Sequence, residues 1–290
     1  MIESCRQEFR IDMMCRLLSV SRSGYYAWRK RPVCPQRQRR TLVGEAVEAA
    51  YHQFRRRYGA PRLVVELNER GIPCSLNHVA DLLKERGLKA RNGKGFRYFP
   101  RVESQTNVNE NLLGRRFGAD EPNRKWVSDI TYIRVGRVWL YLAAVLDLFS
   151  RKVVGWALDT HMRESLILDA FTMAVARRDL KDNALIHSDR GVQYRGNEYQ
   201  DVLQAHGVRC SMSRKGNCWD NAVMESFFSR LKVELIYAEN YKTVAEARTG
   251  IFEYIEMFYN RVRRHSAIGY VSPHEYEQQF EKLTVSTICG

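Results

Sequence analysis

Residues 126–132 read WVSDITY and residues 138–148 read VWLYLAAVLDL. Both stretches are rich in β-branched and aromatic residues, and the glycine and arginine between them are typical of a hairpin turn. The sequence therefore predicts two antiparallel strands, over residues 125–135 and 138–148. Asp129, in the middle of the first strand, is not explained by core formation, because an unpaired carboxylate among apolar side chains is costly.

Strands and helices alternate after this hairpin. Thr243 and Glu246 have the spacing of a capping box, which predicts a late helix that ends near residue 261. Three consecutive strands followed by alternating helices and strands favour an α/β fold, in which a mixed sheet is flanked by helices. The predicted elements after the hairpin are a strand over residues 152–159, a helix over 165–178, a strand over 184–187, a helix over 197–206, a strand over 207–212 and a long helix over 220–236.

The first 90 residues carry helical patterns only. A helix over residues 61–70, a short turn and a helix that Ser75 caps are typical of a helix-turn-helix DNA-binding unit. Two shorter helices around residue 20 have a weaker form of the same pattern, and ordinary helical hairpins are the alternative for both. The helices are predicted over residues 10–19, 22–31, 41–54, 61–70 and 75–86, and the exposed side chains of the last one are expected to be Asn77, His78, Asp81, Lys84 and Arg86.

Positive charge is concentrated at the start of the chain. The 47 Lys and Arg residues exceed the 33 Asp and Glu residues by 14, and residues 1–120 hold 24 of the basic and 12 of the acidic side chains. The first 120 residues therefore carry a net charge of +12 and the remainder only +2. A local excess of this size favours a polyanion such as DNA as a partner, with a solvated basic face as the alternative.

Four segments follow from these patterns. We expect residues 1–40 to form a short helical segment, residues 41–90 a helix-turn-helix domain, residues 91–120 a basic linker, and residues 121–284 an α/β core with C-terminal helices. Seven cysteines without a C-x-x-C pair argue against a disulfide framework or a zinc ribbon. The longest strongly apolar run has eight residues, against about 20 for a membrane span, and no signal peptide is evident, so a cytoplasmic protein is expected.

Three carboxylates lie at positions that suggest a catalytic or metal-binding role rather than a role in core packing. Asp129 lies within a predicted strand, Asp189 lies just past the strand over residues 184–187, and Glu225 shares a helix face with Lys232. If the carboxylates converge, they need a cation, because like charges 4 Å apart repel by about 4 kcal/mol at intermediate dielectric. Mg²⁺ prefers oxygen ligands, and a pair of such ions promotes phosphoryl transfer. Isolated acidic residues near strand ends are the alternative.

The carboxylate spacing resembles a known signature. Asp189 and Glu225 are separated by 35 residues, and with Asp129 upstream this is similar to the D,D-35-E signature of transposases and retroviral integrases. Over nearly its whole length the chain resembles one group, the second-reading-frame transposases of frameshifting bacterial insertion sequences. The similar stretches are residues 126–132 (WVSDITY), 140–156 (LYLAAVLDLFSRKVVGW), 187–194 (HSDRGVQY), 211–228 (SMSRKGNCWDNAVMESFF), 258–265 (FYNRVRRH), 269–273 (GYVSP), 15–28 (CRLLSVSRSGYYAW) and 58–59 (YG).

The resemblance implies a ribonuclease-H-like core that cleaves DNA strands and transfers them, with metal ions as cofactors. Asp129, Asp189 and Glu225 are then the catalytic metal ligands for two Mg²⁺ ions, with Mn²⁺ as a substitute, and Lys232 contacts the DNA end. The expected partners are insertion-sequence ends and target DNA, further copies of the chain on DNA, and the upstream-reading-frame protein or a fusion with it. Further DNA contacts are expected from Arg62, Ser75, Asn77, His78, Lys84, Arg214 and Lys215.

Two further polar residues are expected to have structural roles. We expect His187 to shape the turn before Asp189, and Asp147 to be structural rather than a metal ligand. The zinc-binding domain of retroviral integrases has no match here, so no structural zinc is expected. A nuclease that hydrolyses without joining, and a DNA-binding repressor with an inactive core, are the alternative functions. The resemblance also implies a catalytic partner that acts in the bacterial cytoplasm, associated with the nucleoid.

Overall fold

The N-terminal part of the chain is helical in the computed structural model, which describes residues 1–91, 109–215 and 217–288. The predicted basic linker falls largely on residues 92–108, outside the described residues. None of the described helices is long and apolar enough to cross a bilayer. The five N-terminal helices are α1 (Ile11–Leu17), α2 (Arg22–Lys30), α3 (Pro35–Gln53), α4 (Ala60–Glu69) and α5 (Leu76–Glu85).

Local signals set where these helices begin. Ser21 caps α2 by accepting a hydrogen bond from the amide of Gly24, and Ser75 caps α5 by accepting one from the amide of His78. Helix α3 begins at Pro35, six residues before its predicted start, because proline is favoured in the first turn of a helix. Helices α3, α4 and α5 share a buried apolar cluster that includes Leu63. This cluster gives the predicted helix-turn-helix region a core of its own.

Five strands form one mixed sheet in the order β3-β2-β1-β4-β5. Strand β1 pairs antiparallel with β2, which pairs antiparallel with β3, whereas β4 runs parallel to both β1 and β5. Gly136 has a φ of +58° in the turn between β1 and β2, a conformation that favours glycine. The mixed sheet expected from the sequence is confirmed. The strands are β1 (Lys125–Val135), β2 (Val138–Asp147), β3 (Val153–Asp159), β4 (Leu185–Ser188) and β5 (Arg209–Met212).

Helices cover both faces of the sheet. Trp126 belongs to the apolar cluster that includes residues of α6 and α7, whereas its neighbour Val127 belongs to the cluster that includes residues of α8 and α9. Successive β1 side chains therefore point to opposite layers. This arrangement confirms the expected ribonuclease-H-like fold. The helices are α6 (Glu164–Arg177), α7 (Asn197–Ala205), α8 (Ala222–Leu231), α9 (Val244–Phe252) and α10 (Pro273–Ile288).

The long helix predicted over residues 220–236 is not uniform. A 3₁₀ turn over Cys218–Asn221 precedes α8, and a π-helical turn over Lys232–Ile236 follows it. A second π-helical segment, Glu253–Tyr259, follows α9. The prediction of one regular helix was wrong in this detail, since apolar periodicity does not distinguish an α-helical turn from a π-helical one.

Helices α3, α4 and α5, together called the helical unit, are joined to the sheet-containing core by hydrogen bonds, an ion pair and apolar packing. The hydroxyl of Tyr58 donates to the carbonyl of Val262 (3.1 Å) and accepts from the amide of Arg264 (3.0 Å). Arg264 also forms an ion pair with Glu66 of α4 at 2.9 Å. Phe258 packs against the apolar cluster of α3, α4 and α5. The unit and the core therefore share a specific interface.

A buried charge cluster, the Glu234 cluster, completes this interface. The carboxylate of Glu234 accepts hydrogen bonds from Arg263 (2.6 and 2.9 Å) and from the hydroxyl of Tyr254 (2.9 Å). Its backbone carbonyl accepts from Arg57 (3.3 Å) and Arg91 (2.7 Å) of the N-terminal part. Burial alone would raise the pKa of Glu234, but the hydrogen bonds and charge of Arg263 outweigh burial and hold the pKa below its ordinary value.

Replacing Glu234 by glutamine should destabilise the protein strongly. We expect Glu234→Gln to lower the free energy of unfolding by about 3 kcal/mol, because it leaves the buried Arg263 guanidinium without its counter-charge. Urea denaturation followed by circular dichroism measures this change. Glu253→Gln, at an exposed position in the neighbouring π-helical segment, is the matched control. Equal stability of the two variants would contradict the prediction.

Candidate active site

The pairing of two parallel strands brings the segments that carry Asp129 and Asp189 next to each other. Val127 of β1 is level with His187 of β4, and each aspartate lies two residues further along its chain. Neighbouring strands are about 4.8 Å apart. Strand β4 ends at Ser188, so Asp189 lies at the carboxyl edge where ligands bind in open α/β sheets. Both aspartates are half-buried.

The buried residue Tyr194 lies within reach of the charges of both Asp129 and Asp189. Its ring is buried, and its hydroxyl shares a hydrogen bond of 3.0 Å with the hydroxyl of Ser128. Burial raises the pKa of Tyr194 well above its ordinary value, and the charges of Asp129 and Asp189 raise it further. The tyrosine is therefore neutral at all physiological pH values, and the two carboxylates lie close to one buried group.

The turn after β4 fixes the side chain of Asp189. Its Oδ1 accepts a hydrogen bond from the amide of Gly191 at 2.9 Å. A β-carbon at position 191 would lie 3.0 Å from the same Oδ1, which is tighter than ordinary contact. The small residue therefore lets the backbone approach the carboxylate. Arg190 secures the turn by donating to the carbonyl of Ser213 at 2.6 Å.

Glu225 lies on α8, which packs beside β1. Just before this helix, the side-chain amide of Asn221 donates to the backbone carbonyl of Ser128 at 3.3 Å, one residue from Asp129. Glu225 lies one helical turn after Asn221, and Met224 and Phe227 beside it are buried in the core. Glu225 is exposed, although partial loss of hydration raises the pKa of its carboxyl group.

Lys232 lies close to the ring of Tyr132 and to Asp129, one of the candidate catalytic residues. Its Nζ is 4.8 Å from the centre of the Tyr132 ring, and its side chain is largely buried. Burial lowers the pKa of Lys232, whereas the negative charge of Asp129 raises it. The predicted lysine is therefore close enough to Asp129 for their charges to interact.

The structure places Lys232 near Asp129, and both Asp129 and Asp189 near the buried Tyr194, whereas Glu225 lies on helix α8. Within residues 1–91, 109–215 and 217–288, no group of three or more histidine, cysteine or acidic side chains is arranged as a ready metal site. The donor set still fits a hard divalent cation, because all three candidates offer carboxylate oxygens.

Asp220 is a site-supporting residue that sequence reasoning missed. Its buried carboxylate accepts hydrogen bonds from Arg115 (2.8 Å), Arg214 (2.9 Å) and Asn111 (2.9 Å). The hydrogen bonds from Arg214, together with those from Arg115, hold the pKa of Asp220 well below its ordinary value. The cluster anchors the 3₁₀ turn that precedes α8 and so orients Glu225. The sequence shows Asp220 only as a charged residue inside the 211–228 stretch. No local pattern predicts which residues bond to it.

Several residues expected to contact DNA also have structural contacts. Arg214 pairs with Asp220, and Arg62 donates to the carbonyl of Arg264 at 2.8 Å. Ser75 caps α5. Asn77, Lys84 and Lys215 are exposed, and His78 is half-buried. Arg86, expected to be exposed, is instead half-buried beside Glu48, because its guanidinium lies against Gly44.

Known families match nearly the entire chain. Two models described as an integrase core domain match residues 119–218 and 206–273, and one described as an HTH-like domain matches residues 37–95. Transposase InsF for insertion sequence IS3A of Escherichia coli K12 is 44% identical over 280 residues, which cover 96% of this chain and 97% of the relative. The chain belongs to the family of insertion-sequence transposases. It is therefore a DNA-binding polynucleotidyl transferase that acts in DNA transposition.

A second transposase relative agrees with this assignment, and two solved structures show a weaker likeness. The transposase for insertion sequence element IS904 of Lactococcus lactis subsp. lactis IL1403 is 38% identical over 84% of this chain and 96% of its own. A simian T-cell lymphotropic virus intasome in complex with PP2A regulatory subunit B56 gamma has a TM-score of 0.46 at 16% identity, covering 74% of this chain and 70% of that one. The HTLV-2 integrase catalytic core in complex with magnesium has a TM-score of 0.43 at 15% identity, covering 55% and 98%.

Two polar residues near the site of the transposase have structural roles, as expected. His187 is fully buried, and its ring nitrogens bond to the hydroxyls of Ser211 (2.8 Å) and Ser213 (3.1 Å). Burial lowers the pKa of His187 to about 4. Asp147 is buried and accepts hydrogen bonds from two backbone amides, and burial raises its pKa to about 6. Neither side chain belongs to the carboxylate site.

Protonation of His187 should destabilise the transposase in acid. The folded protein holds the pKa of His187 near 4, below the ordinary value of about 6.5, so protons bind more tightly to the unfolded chain. The contribution is complete above pH 6.5 and is lost as the pH falls toward 4. We expect this group to lower the free energy of unfolding by about 2 kcal/mol between pH 7 and pH 5.

Urea denaturation at both pH values measures this effect. His187→Gln should remove that part of the pH dependence, whereas His52→Gln, at an exposed position on α3, should leave it unchanged. An identical pH dependence in His187→Gln and the unmodified protein would contradict the assignment.

Proposed function

We propose that this transposase cuts and joins DNA strands at one site made by Asp129, Asp189 and Glu225. The observation that supports the proposal is the β1–β4 pairing, which brings the segment that carries Asp129 next to the strand that ends just before Asp189. Helix α8 carries the third proposed carboxylate, Glu225. In phosphoryl transfer most of the catalysis is positioning and charge stabilisation, which such a cluster suits.

We propose Mg²⁺ as the cofactor, as two ions with Mn²⁺ as a substitute, held by these three carboxylates. When bound, the ions supply charge stabilisation at the transferring phosphate. The protein's own residues orient the ligands: Gly191 bonds Asp189, and Asn221 ties the start of α8 to β1. Lys232, beside Asp129, offers a cation to the DNA backbone. The nearby His187 and Tyr194 are buried and neutral, so they are unsuited to act as bases.

DNA recognition is proposed for the helical unit. Asn77 and Lys84 lie exposed on α5, the second helix of the predicted helix-turn-helix, and His78 lies beside them. Lys215 offers a further exposed cation near the core's active edge. These side chains and the net charge of +12 in residues 1–120 suit insertion-sequence ends and target DNA in the bacterial nucleoid.

We also propose the four-segment division at residues 40, 90 and 120, and an oligomer assembled on DNA. Exposed apolar side chains in the first segment, such as Leu17 and Trp28, suit contacts with a second copy or with the upstream-reading-frame protein.

Removing one catalytic carboxylate should abolish the reaction. We expect Asp189→Asn to reduce cleavage and joining of element-end DNA in Mg²⁺ by about a hundredfold or more, because the site loses a charged ligand. Asp201→Asn, at an exposed position on α7, is the matched control. A gel assay that separates joined strands from nicks measures both steps. Full activity of Asp189→Asn would overturn the proposal, and nicks without joined products would assign a nuclease instead.

Metal removal should stop the same reaction reversibly. We expect EDTA to eliminate both products, and Mg²⁺ or Mn²⁺ to restore them, because the carboxylates repel each other without a cation. The gel assay with and without added metal measures this. Cleavage that persists in EDTA would contradict a metal-dependent site.

Helix α5 should contribute to binding but not to the chemistry. We expect Lys84→Ala to weaken DNA binding and to reduce the slope of log affinity against log salt by about one unit. Fluorescence anisotropy over a salt series measures both quantities. Lys282→Ala, at an exposed lysine of α10, is the control. An unchanged salt dependence in Lys84→Ala would exclude a phosphate contact there.

A further inference from the structure

A cavity of about 540 Å³ opens beside Lys232. We call it the hairpin pocket. The β1–β2 hairpin forms one wall with Tyr132 and Trp139, and the chain after α8 forms the other with Tyr237. Its volume lies within the range of roughly 300–1,000 Å³ that is typical of small-ligand sites. None of the carboxylates in the proposed mechanism lines this pocket.

Aromatic rings dominate the accessible walls. Tyr132 is 38% exposed, Trp139 is 44% exposed and Tyr237 is 67% exposed. The rings of Tyr132 and Trp139 meet edge to face, with their centres 5.5 Å apart. Large aromatic side chains are normally buried, so three exposed rings around one concavity indicate a binding surface.

Positive groups lie against these rings. The Nζ of Lys232 is 4.8 Å from the centre of the Tyr132 ring, and the guanidinium of Arg134 is 5.7 Å from that of Trp139. One carboxylate, Glu239, also lines the pocket, and Arg91 pairs with it at 3.7 Å. Exposed aromatic faces next to cations are the combination that binds single-stranded nucleic acid, through base stacking and phosphate contacts.

The occupant must present a bare aromatic face. Inside a duplex both faces of each base are covered by its neighbours, so a base can stack on Tyr132 or Trp139 only when it is unpaired and unstacked. Lys232 belongs to the pocket and also lies near Asp129. A nucleotide whose phosphate is at the catalytic edge can therefore have its base, or that of the adjacent nucleotide, within reach of the pocket.

We infer that the hairpin pocket binds an unpaired nucleobase of the DNA substrate by stacking it on Trp139 and Tyr132, next to the phosphate at the catalytic carboxylates. The inference rests on the proposed function, because it takes DNA as the substrate of the adjacent site. It adds the requirement that the DNA is locally unpaired there. The pocket lowers the cost of that unpairing by stacking the released base.

A binding experiment without divalent metal tests the inference apart from the chemistry. The probes are a fluorescein-labelled 20-base-pair duplex of arbitrary sequence and the same duplex with a five-nucleotide 3′ tail. Base–aromatic stacking tolerates any sequence, so we expect the unmodified transposase to bind the tailed duplex about tenfold more tightly. Trp139→Ala should lose most of this preference and retain its affinity for the paired duplex.

Matched variants separate stacking from general damage. Trp139→Phe keeps an aromatic face and should keep most of the preference, and Tyr132→Ala should weaken it independently. Phe252→Ala, an exposed aromatic on α9 outside the pocket, should leave it unchanged. A 2-aminopurine in the tail, next to the duplex, should be quenched by the unmodified protein and less so by Trp139→Ala.

Equal affinity of the unmodified protein for the two duplexes, or an equal loss for both in Trp139→Ala, would overturn the inference. Because the assay measures binding alone, a protein that prefers the tail but joins no DNA would refute the proposed function and leave the pocket intact. A protein that joins DNA but shows no preference for the tailed duplex would refute the inference about the pocket and leave the proposed function intact.

Discussion

The parallel pairing of β1 with β4 is the constraint on which the site depends. It brings segments that are far apart in sequence next to one another, so that Asp129, within β1, and Asp189, just past the end of β4, are carried by adjacent segments. The pairing is supported on both faces by apolar side chains, and Ser128 of β1 forms a buried hydrogen bond with Tyr194, which follows β4. A slip of one residue would turn Asp129 to the opposite face.

A second feature joins the N-terminal helices to the core that contains the sheet. The Glu234 cluster joins Arg57 and Arg91 of the N-terminal part to the π-helical turn that begins with Lys232. Tyr58 and Arg264 secure the same interface. Because these contacts are buried and directional, they hold α3, α4 and α5 in a defined position relative to the turn that begins with Lys232.

The elements predicted from local patterns were the ones found most accurately. Strand β1 has the bounds that its apolar residues predicted, and Ser75 caps α5 as its position indicated. The position of Asp189 just past the end of a short strand was likewise indicated by its local sequence. These features depend on a few neighbouring residues, so a single sequence contains their signal.

Features that depend on distant partners were not predictable in this way. Asp220 meets Arg115 across about a hundred residues of chain, and no spacing rule connects them. The same holds for Arg62, whose bond to the carbonyl of Arg264 joins two domains. The hairpin pocket likewise arises where β2 and the chain after α8 come together. Tertiary contact decides these arrangements, and residue type alone does not.

The central claim is that Asp129, Asp189 and Glu225 bind divalent metal ions together. Anomalous diffraction from crystals of the transposase with Mn²⁺ and DNA tests it most directly, because it locates the metal independently of activity. The account predicts a manganese peak bonded to carboxylate oxygens of Asp129 and Asp189, with Glu225 as a further ligand at the same centre. Manganese bound elsewhere, with these three carboxylates free of metal, would contradict it.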